Sequence, residues 1–341
     1  MPDAKTNRAG FPKEDYQGSA TTLCKGCGHN SITNHLIKAL YEFGIDPHKL
    51  AKMSGIGCSS KTTNYFANRS HGFNAVHGRM PALALGAKMA SSELKLVGVS
   101  GDGDTASIGL GHFMHMVRRN LDILYLIENN GVYGLTKGQF SATANVGSKL
   151  KDGTVNVMSE IDCCAMAIQL EASYVARSFS GDGKQLVPLI KGALAQRGTA
   201  LIDVISPCVT FNDHDGSTMS YDYMKEHEEA LHTIDYIEPQ PEVTVDYAAG
   251  ETRAVPLPNG GILTLKKVGK DYDPSDKIAA LARIEESRRQ GVHLTGLLYV
   301  NPKRPDFTRL MNLVDEPLYS LGLERIRPSR AALAEVMAEF A

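Results

Sequence analysis

The sequence lacks the features that mark membrane, secreted and nucleic-acid-binding proteins. No apolar run approaches the roughly 20 residues that a transmembrane helix needs. The N-terminus is polar and has no apolar core of the kind found in a secretory signal. The formal net charge is −2, so no excess of basic residues favours nucleic acid or anionic lipid. We therefore expect a cytoplasmic protein whose partners include neither nucleic acid nor a membrane.

Cysteine is scarce, with 6 among 341 residues, and the sequence has no internal repeat or low-complexity tract. In a reducing compartment we expect these cysteines to be metal ligands, catalytic groups or buried thiols rather than disulfides. Hydrophobic residues make up 43% of the chain and charged residues 22%, which is typical of a globular protein with an ample core.

The hydrophobic pattern alternates between helical stripes and short apolar runs. Helical periodicity covers residues 31–43, 80–90, 163–170, 184–196 and 330–340. Strand-like apolar runs cover residues 50–53, 94–100, 123–127, 174–178, 200–205 and 297–300. This alternation predicts an α/β fold, a three-layer sandwich around a mainly parallel sheet.

The composition changes near residue 212 and divides the chain into three predicted parts. Residues 1–19 form an N-terminal arm, residues 20–212 the core domain, and residues 213–341 a C-terminal extension that wraps over the core. Within the extension, two strand-like runs joined by Asn259-Gly260 predict a β-hairpin outside the main sheet.

Residues 94–132 concentrate the chemistry of the chain. A β-branched strand leads into the glycine-rich acidic turn GDGD at 101–104, an amphipathic helix follows, and a second apolar strand ends at the asparagine pair 129–130. A βαβ unit of this kind brings both turns to the carboxyl edge of a parallel sheet, where ligands of open α/β folds bind.

The residue types in these two turns suit a phosphorylated ligand with a divalent cation. Gly101 and Gly103 let the backbone approach an anion closely. Asp102 and Asn130 offer the hard oxygens that Mg²⁺ prefers. The alternative is an ordinary doubly wound sheet with two glycine-rich turns, because Gly-Asp-Gly is common in turns.

Four cysteines fall where they could meet at the same sheet edge. Cys24 and Cys27 form a CxxC, the compact half of a four-thiolate site. Cys58 and Cys208 each follow a predicted strand, so both should reach the edge where the GDGD turn lies. The CxxC alone leaves three interpretations open: an iron–sulfur cluster, a redox pair or half of a zinc site.

The other two cysteines, Cys163 and Cys164, are adjacent on a predicted helix. Neighbouring helical positions point about 100° apart, so the two thiols cannot easily share one metal. We expect both to be buried core residues.

Taken together, the motifs CxxCGH, GIGC, HGR, GDGD with NN, VYGLTKGQ and SPC resemble the β subunit of 2-oxoacid:ferredoxin oxidoreductases. The spacing from GDG through 26 residues to Asn130 looks like the thiamine diphosphate (TPP) signature. The resemblance covers roughly residues 20–215 and continues more weakly to the end. It implies a TPP-binding fold with TPP, Mg²⁺ and one [4Fe–4S] cluster as cofactors.

Carried over residue by residue, the resemblance implies a ligand set for each cofactor. The implied cluster ligands are Cys24, Cys27, Cys58 and Cys208. The implied magnesium ligands are the side chains of Asp102 and Asn130 and the backbone carbonyl of Val132. The further cofactor contacts are Gly57, His77, Gly101, Gly103, Asp104, Gly134, Leu135 and Thr136.

The implied reaction is the coenzyme A-dependent oxidative decarboxylation of a 2-oxoacid to acyl-CoA and CO2, with electrons passed to ferredoxin; some members run it reductively. Similarity to 2-oxoglutarate-type members predicts 2-oxoglutarate as substrate. The alternatives are a pyruvate-type member and a subunit of another TPP-dependent decarboxylase or carboligase. The non-enzymatic alternative is a metal-stapled α/β scaffold, that is, an α/β protein whose fold is stabilised by a zinc ion at the CxxC.

The family's TPP site also needs a glutamate on a separate pyrimidine-binding domain, and the chain shows only one βαβ cofactor unit. The resemblance assigns that domain to an α subunit. We therefore expect the chain to be inactive alone and to function in an (αβ)2 heterotetramer.

Several basic residues within the motifs are candidates for the substrate carboxylate. Lys61 follows Cys58, Lys137 lies in the loop after Val132, and Arg79 belongs to HGR. Each could instead be a solvated or structurally paired side chain.

The histidines leave functional and structural interpretations open. His77 and His29 are equally compatible with a functional and a packing role. His112 and His115, on the helix after GDGD, have no metal-ligand partner at a suitable spacing, and we expect them to be structural.

Overall fold

The computed structural model describes residues 6–231, 252–256, 262–266 and 272–340. Its strands are β1 Leu50–Ser54, β2 His71–Asn74, β3 Lys95–Gly101, β4 Ile123–Asn129, β5 Val132–Tyr133, β6 Gln139–Phe140, β7 Tyr174–Phe179, β8 Thr199–Ile205, β9 Glu228–Ala230, β10 Thr252–Pro256, β11 Ile262–Lys266 and β12 His293–Val300. Its helices are α1 Gly28–Phe43, α2 Met80–Ala90, α3 Leu110–Arg119, α4 Cys163–Gln169, α5 Gly183–Ala195, α6 Tyr221–His227, α7 Lys277–Gln290, α8 Phe307–Leu310, α9 Leu323–Ile326 and α10 Arg330–Ala338.

Within the described residues, one sheet contains eight strands in the order β2-β1-β3-β4-β8-β7-β12-β9. The strands from β2 to β7 along this order pair in parallel, and β12 pairs antiparallel with β7. The predicted α/β fold with a mainly parallel sheet is confirmed. Because β1, β3, β4 and β8 are neighbours and run the same way, the loops that follow them meet at one edge.

The strand side chains alternate between two apolar layers. In β4, Ile123, Tyr125 and Ile127 pack into the layer that also holds Phe113 of α3, while Leu124 points into the opposite layer with α1 and α5. Both layers are closed by helices, which explains why the central strands are apolar along their whole length.

Helix ends differ from the predicted ones where the capping residue was not apparent. α1 begins at Gly28, three residues before the predicted start, because Cys27 has an extended backbone and serves as its N-cap. It ends as predicted at Gly44, whose φ of 71° is left-handed and whose N–H bonds the carbonyls of Leu40 and Tyr41. α5 begins at Gly183, where the Asp182 side chain caps the first turn.

The main sheet contains strands that precede residue 212 and strands that follow it. β12 is longer than the predicted 297–300 and joins the sheet together with β9. The division into 1–19, 20–212 and 213–341 stays a prediction. β10 and β11 form a separate antiparallel pair, as predicted, although Asn259 and Gly260 lie outside the described residues.

Cys163 and Cys164 on α4 are buried, as expected. On α3, His112 and His115 are exposed. Across the residues that the structure describes, the helices are too short or too polar to cross a membrane.

Candidate active site

The GDGD turn packs tightly against the loop that follows β4. Asp102 adopts helical backbone angles directly after β3 and begins a π-helical turn, Gly103–Ile108. A Cβ on Gly103 would lie 2.5 Å from Cε1 of Tyr133, so any other residue here would displace the Tyr133 ring. The Tyr133 hydroxyl also donates to the Gly103 carbonyl at 3.3 Å. The two turns that sequence reasoning placed at one edge are therefore in contact.

Asp102 is a buried carboxyl group, 1% exposed, with neutral hydrogen-bond donors. The hydroxyls of Ser141 and Thr143 donate to its Oδ2, the latter at 2.7 Å. The Asn130 N–H donates to Oδ1 over a longer 3.4 Å. Burial raises the pKa of Asp102, although these hydrogen bonds oppose the rise. A cation bound here would relieve the cost of burying this charge.

The backbone around Asn130 is fixed by two side-chain amides. Asn130 Oδ1 accepts from the Val132 N–H at 3.1 Å, across Gly131 with its left-handed φ of 71°. Asn212, four residues after Cys208, donates from Nδ2 to the Asn130 carbonyl at 2.7 Å. The two proposed oxygen donors, Asn130 and Val132, are thus held in one short, braced turn.

Asp104 braces a neighbouring loop with its carboxylate. Its Oδ1 accepts from the Gly78 N–H at 2.8 Å, and its Oδ2 accepts from the Ser100 hydroxyl at 3.0 Å. A Cβ on Gly55 would lie 1.8 Å from Asp104 Oδ2, so the chain after β1 also closes on this group. Asp104 therefore joins three segments at the sheet edge.

A cavity of about 380 Å³ opens at this edge. All the residues that the resemblance assigns to TPP and Mg²⁺ line it: Gly57, His77, Gly101, Asp102, Gly103, Asp104, Asn130, Val132, Gly134, Leu135 and Thr136. Cys58, Glu128 and His29 line it as well. Two exposed apolar side chains also line the cavity: Leu135 is 59% exposed and Ile108 is 44% exposed. One cavity thus gathers both polar turns and one of the four candidate cluster cysteines.

The three candidate substrate cations do not line this cavity in the described structure. Arg79 is exposed and donates from Nη1 to the carbonyl of His77 at 3.3 Å, which places it beside the cavity. Lys61 is half-buried, and its charge lowers the pKa of Cys58 against the larger effect of burial. Lys137 is exposed with a left-handed φ of 81°.

The four candidate cluster cysteines share one neighbourhood. A Cβ on Gly134 would lie 3.7 Å from Cys58 Sγ and 3.8 Å from Cys208 Sγ. Burial raises the pKa of Cys27 to about 12, and the nearby thiols of Cys208 and Cys24 add to this rise. Burial likewise raises the pKa of Cys58, with contributions from the same two thiols. In the described ranges, no three His, Cys, Asp or Glu side chains converge closely enough for a single metal ion.

A buried acid and a buried histidine line the cavity close to these thiols. Glu128 is fully buried, accepts from the Thr62 hydroxyl at 3.1 Å and lies 3.6 Å from Nδ1 of His29. Burial raises the pKa of Glu128 well above its ordinary value and lowers the pKa of His29 to about 4. His29 Nδ1 bonds the Ser206 hydroxyl at 2.6 Å. At neutral pH His29 is therefore uncharged in this contact.

Sequence reasoning missed Glu128, Ser141 and Thr143. A glutamate within the otherwise apolar run ILYLIEN was a signal for Glu128, because an acid in a central strand is buried. The two hydroxyl residues carried no local signal, since they reach Asp102 from about 40 positions along the chain.

Comparison with known proteins agrees with this geometry. A family model described as the thiamine pyrophosphate enzyme, C-terminal TPP binding domain, matches residues 55–204. The β subunit of a 2-oxoacid:ferredoxin oxidoreductase from Saccharolobus solfataricus is 42% identical over 191 residues, 56% of this chain and 63% of that protein. A 2-oxoglutarate synthase subunit KorB from Methanocaldococcus jannaschii is 40% identical over 190 residues, 55% of this chain and 70% of that protein.

A solved structure extends the similarity over almost the whole chain. The 2-oxoglutarate:ferredoxin oxidoreductase from Magnetococcus marinus, solved with 2-oxoglutarate, coenzyme A and succinyl-CoA bound, matches with a TM-score of 0.73 and 30% identity. The match covers 97% of this chain and 96% of that chain. The fold and site thus define a TPP-binding domain of the TPP-enzyme class.

Within that class, the chain belongs to the family of 2-oxoacid:ferredoxin oxidoreductase β subunits. The sequence alignments span less than two thirds of the length of several curated relatives, including the Saccharolobus protein.

Proposed function

We propose that the chain is the TPP-binding β subunit of a cytoplasmic 2-oxoacid:ferredoxin oxidoreductase. In this role it takes part in converting a 2-oxoacid and coenzyme A to acyl-CoA and CO2, with electrons leaving to ferredoxin. The observation that carries the proposal is the single cavity that Asp102, Asn130 and Cys58 all line. A redox decarboxylase needs its organic cofactor and its electron acceptor to be adjacent, and this cavity supports placing the two proposed sites side by side.

The residues at the first site fit a magnesium-bound diphosphate. Asp102 is a buried carboxyl group with neutral donors, and burial raises its pKa, so a divalent cation would stabilise its ionised form. Asn130 and the Val132 carbonyl would complete a set of hard oxygen ligands. When bound, TPP supplies a carbon nucleophile for the keto group and a ring that accepts the electrons left by CO2. The chain's own task is to hold the diphosphate and exclude water around it.

The residues at the second site fit an iron–sulfur cluster better than a single zinc ion. Cys24, Cys27, Cys58 and Cys208 provide four thiol groups, the donor set of a [4Fe–4S] cluster. Four cysteines also form a zinc site, but the adjoining TPP site favours a cluster, because the electrons left by CO2 need an acceptor. When bound, the cluster would accept electrons one at a time.

We propose the residues that bind the substrate from the positions of the basic side chains near the cavity. Arg79 lies beside the cavity through its bond to the His77 carbonyl, and we assign it to the substrate carboxylate. Lys61 next to Cys58 and Lys137 after Thr136 are the further candidates. A guanidinium can bind a carboxylate through two parallel hydrogen bonds, which favours Arg79 among the three.

The substrate is proposed to be 2-oxoglutarate. Relatives from Methanocaldococcus jannaschii and Mycobacterium tuberculosis are named as 2-oxoglutarate enzymes, and the Magnetococcus structure holds 2-oxoglutarate and succinyl-CoA. Pyruvate remains the alternative substrate. The reductive direction, from acyl-CoA and CO2 to the 2-oxoacid, uses the same groups.

The partner is proposed to be an α subunit that carries the pyrimidine-binding domain, in an (αβ)2 assembly. Exposed apolar groups at the cavity, Leu135 and Ile108, give such a domain a surface to cover. Ferredoxin is the proposed electron acceptor.

Activity of the reconstituted complex tests this proposal. The full chain is coexpressed with its α subunit under anaerobic conditions, and coenzyme A-dependent reduction of ferredoxin is followed with each 2-oxoacid. We expect kcat/KM for 2-oxoglutarate to exceed that for pyruvate by about 10-fold or more, and no turnover by the chain alone. Preference for pyruvate would replace the substrate assignment. Turnover by the chain alone would refute the need for a partner.

A further inference from the structure

We propose that Thr143 and Ser141 are positioning residues that hold the Asp102 carboxylate for its cation. They do so by donating to one carboxylate oxygen, Oδ2, on the side where Asn129 is held by the Asp203–Arg177 ion pair. This inference rests on the proposed assignment of Asp102 to Mg²⁺.

The Thr143 hydroxyl joins the metal side of the site to the end of β4. Thr143 Oγ1 lies 2.7 Å from Asp102 Oδ2 and 3.0 Å from Asn129 Oδ1. Thr143 and Asn129 are each 5% exposed. Because a hydroxyl has one proton, it can donate to only one of these two acceptors at a time. The Ser141 hydroxyl donates to the same Asp102 oxygen, so that oxygen keeps a donor in either arrangement.

The Asp203 carboxylate fixes the orientation of the Asn129 amide. Asn129 Nδ2 donates to Asp203 Oδ1 at 3.1 Å, and Arg177 Nε donates to the other carboxylate oxygen, also at 3.1 Å. With its amino group committed to Asp203, Asn129 must present its oxygen to Thr143. Arg177 is itself held from the other side by Asp162 at 2.8 Å. The Asn129 amide is therefore held in place by a buried ion pair.

The same residues separate two cavities. Asp102 lines the cofactor cavity, whereas Asn129, Thr143, Asp203 and Arg177 line a second cavity of about 390 Å³. The hydrogen bonds from Thr143 and Ser141 orient the Asp102 carboxylate at the edge of the cofactor cavity.

The two hydroxyl donors to Oδ2 leave the other carboxylate oxygen of Asp102, Oδ1, to bind a cation. Hydroxyl donors hold Oδ2, while Oδ1 receives the longer, 3.4 Å contact from the Asn130 N–H. Oδ1 is thus the oxygen with lone pairs left for a cation. Groups that orient a metal ligand in this way typically change metal affinity by about 10–100-fold when they are removed.

The test is the Mg²⁺ dependence of TPP binding to the full-chain complex, followed by calorimetric titration. Thr143→Val keeps the side-chain volume and removes the hydroxyl, and Thr143→Ser is the matched control that retains it. We expect Thr143→Val to weaken apparent Mg²⁺ affinity about 10-fold or more, with TPP binding restored at saturating Mg²⁺. Thr143→Ser should bind like the wild type. Unchanged Mg²⁺ affinity in folded Thr143→Val would overturn the inference.

Ser141→Ala keeps the inference testable if Thr143→Val does not fold, because it removes the other hydroxyl donor to Oδ2. The double variant completes a cycle, in which two donors to one oxygen should be non-additive. Additive losses of Mg²⁺ affinity would show that the two hydroxyls do not act on the same oxygen. Thr154→Val, in an exposed part of the same loop, serves as the unaffected reference. If the wild type itself binds TPP without Mg²⁺, the proposed function fails, which is a different outcome from an unaffected variant.

Discussion

Gly101 and Glu128 are register partners in the parallel pair of β3 and β4. Asp102 and Asn130 follow them within two residues, so the two polar turns leave the sheet side by side. This register, rather than either motif alone, builds the cavity at the sheet edge. It also explains why a separation of 26 residues between GDG and Asn130 is meaningful, because that length spans one helix and one strand of the right size.

Removing the Asp102 carboxylate should abolish Mg²⁺-dependent TPP binding. Asp102→Ala deletes a direct ligand, so the loss should exceed the roughly 10–100-fold that removal of a supporting group costs. Titration of TPP at several Mg²⁺ concentrations measures it. Asp222→Ala, on an exposed position of α6, is the control and should bind normally. Equal TPP affinity in Asp102→Ala and Asp222→Ala would contradict the assignment.

The iron and sulfide content of cysteine variants should distinguish the proposed cluster ligands from the buried core cysteines. Cys208→Ser should lose most bound iron and sulfide, because serine oxygen replaces a thiolate that the cluster prefers. Cys164→Ser should retain them, since that thiol is buried on α4, 3.6 Å from the Ala176 carbonyl of β7. Iron and sulfide analysis of anaerobic preparations decides between them. A full cluster content in Cys208→Ser would remove that residue from the ligand set.

Gly134 offers a more selective probe of the space beside the thiols. A Cβ there would make ordinary contacts with Cys58 and Cys208, at 3.7 and 3.8 Å from their sulfurs, so Gly134→Ala should fold normally. The added methyl group occupies space next to both sulfurs, and we expect it to lower cluster occupancy or shift the cluster's reduction potential. Gly86→Ala, where a Cβ meets nothing within 4 Å, is the matched control. Wild-type occupancy and potential in Gly134→Ala would place the cluster elsewhere.

Much of the fold was predictable because the central strands are continuous apolar runs. β3, β4, β7 and β8 lie within two residues of their predicted ends. β2 escaped prediction because HGFN is an exposed edge strand without an apolar pattern. The beginning of β12 was missed for a similar reason, since it starts with the polar pattern HLT.

The candidate site was predictable only where local motifs define it. The GDGD turn and the asparagine pair carry their spacing in the sequence, so their common cavity followed from the βαβ unit. The bracing groups did not, because Ser141, Thr143 and Asn212 reach the two turns through contacts between distant parts of the chain. Buried charged residues such as Glu128 and Lys52 interrupt apolar strands, and that interruption is the signal that sequence reasoning can use.

Lys52 should make the free energy of unfolding rise with pH in the alkaline range. Its Nζ donates to the carbonyls of Phe66 at 2.7 Å and Ala67 at 3.2 Å, and burial lowers its pKa from 10.5 to about 8. Between these values the unfolded chain binds more protons than the folded one, so stability rises with pH.

Urea unfolding of wild type and Lys52→Met at about pH 7 and about pH 10 measures this rise. The free energy of unfolding of the wild type, minus that of Lys52→Met, should increase by about 2 kcal/mol over that range. Lys49→Met, at an exposed position, should show no such change. A pH-independent difference for Lys52→Met would mean that Lys52 keeps an ordinary pKa in the folded chain.

The central claim is that one sheet edge of this chain holds both TPP with Mg²⁺ and an iron–sulfur cluster. The most direct measurement is metal, sulfide and thiamine analysis of the anaerobically purified full-chain complex, together with its visible spectrum. We predict a brown protein with about four iron and four sulfide ions per chain, bound TPP, and bleaching of the colour in air. A colourless protein that contains zinc, or an iron protein that retains no TPP in the presence of Mg²⁺, would contradict the account.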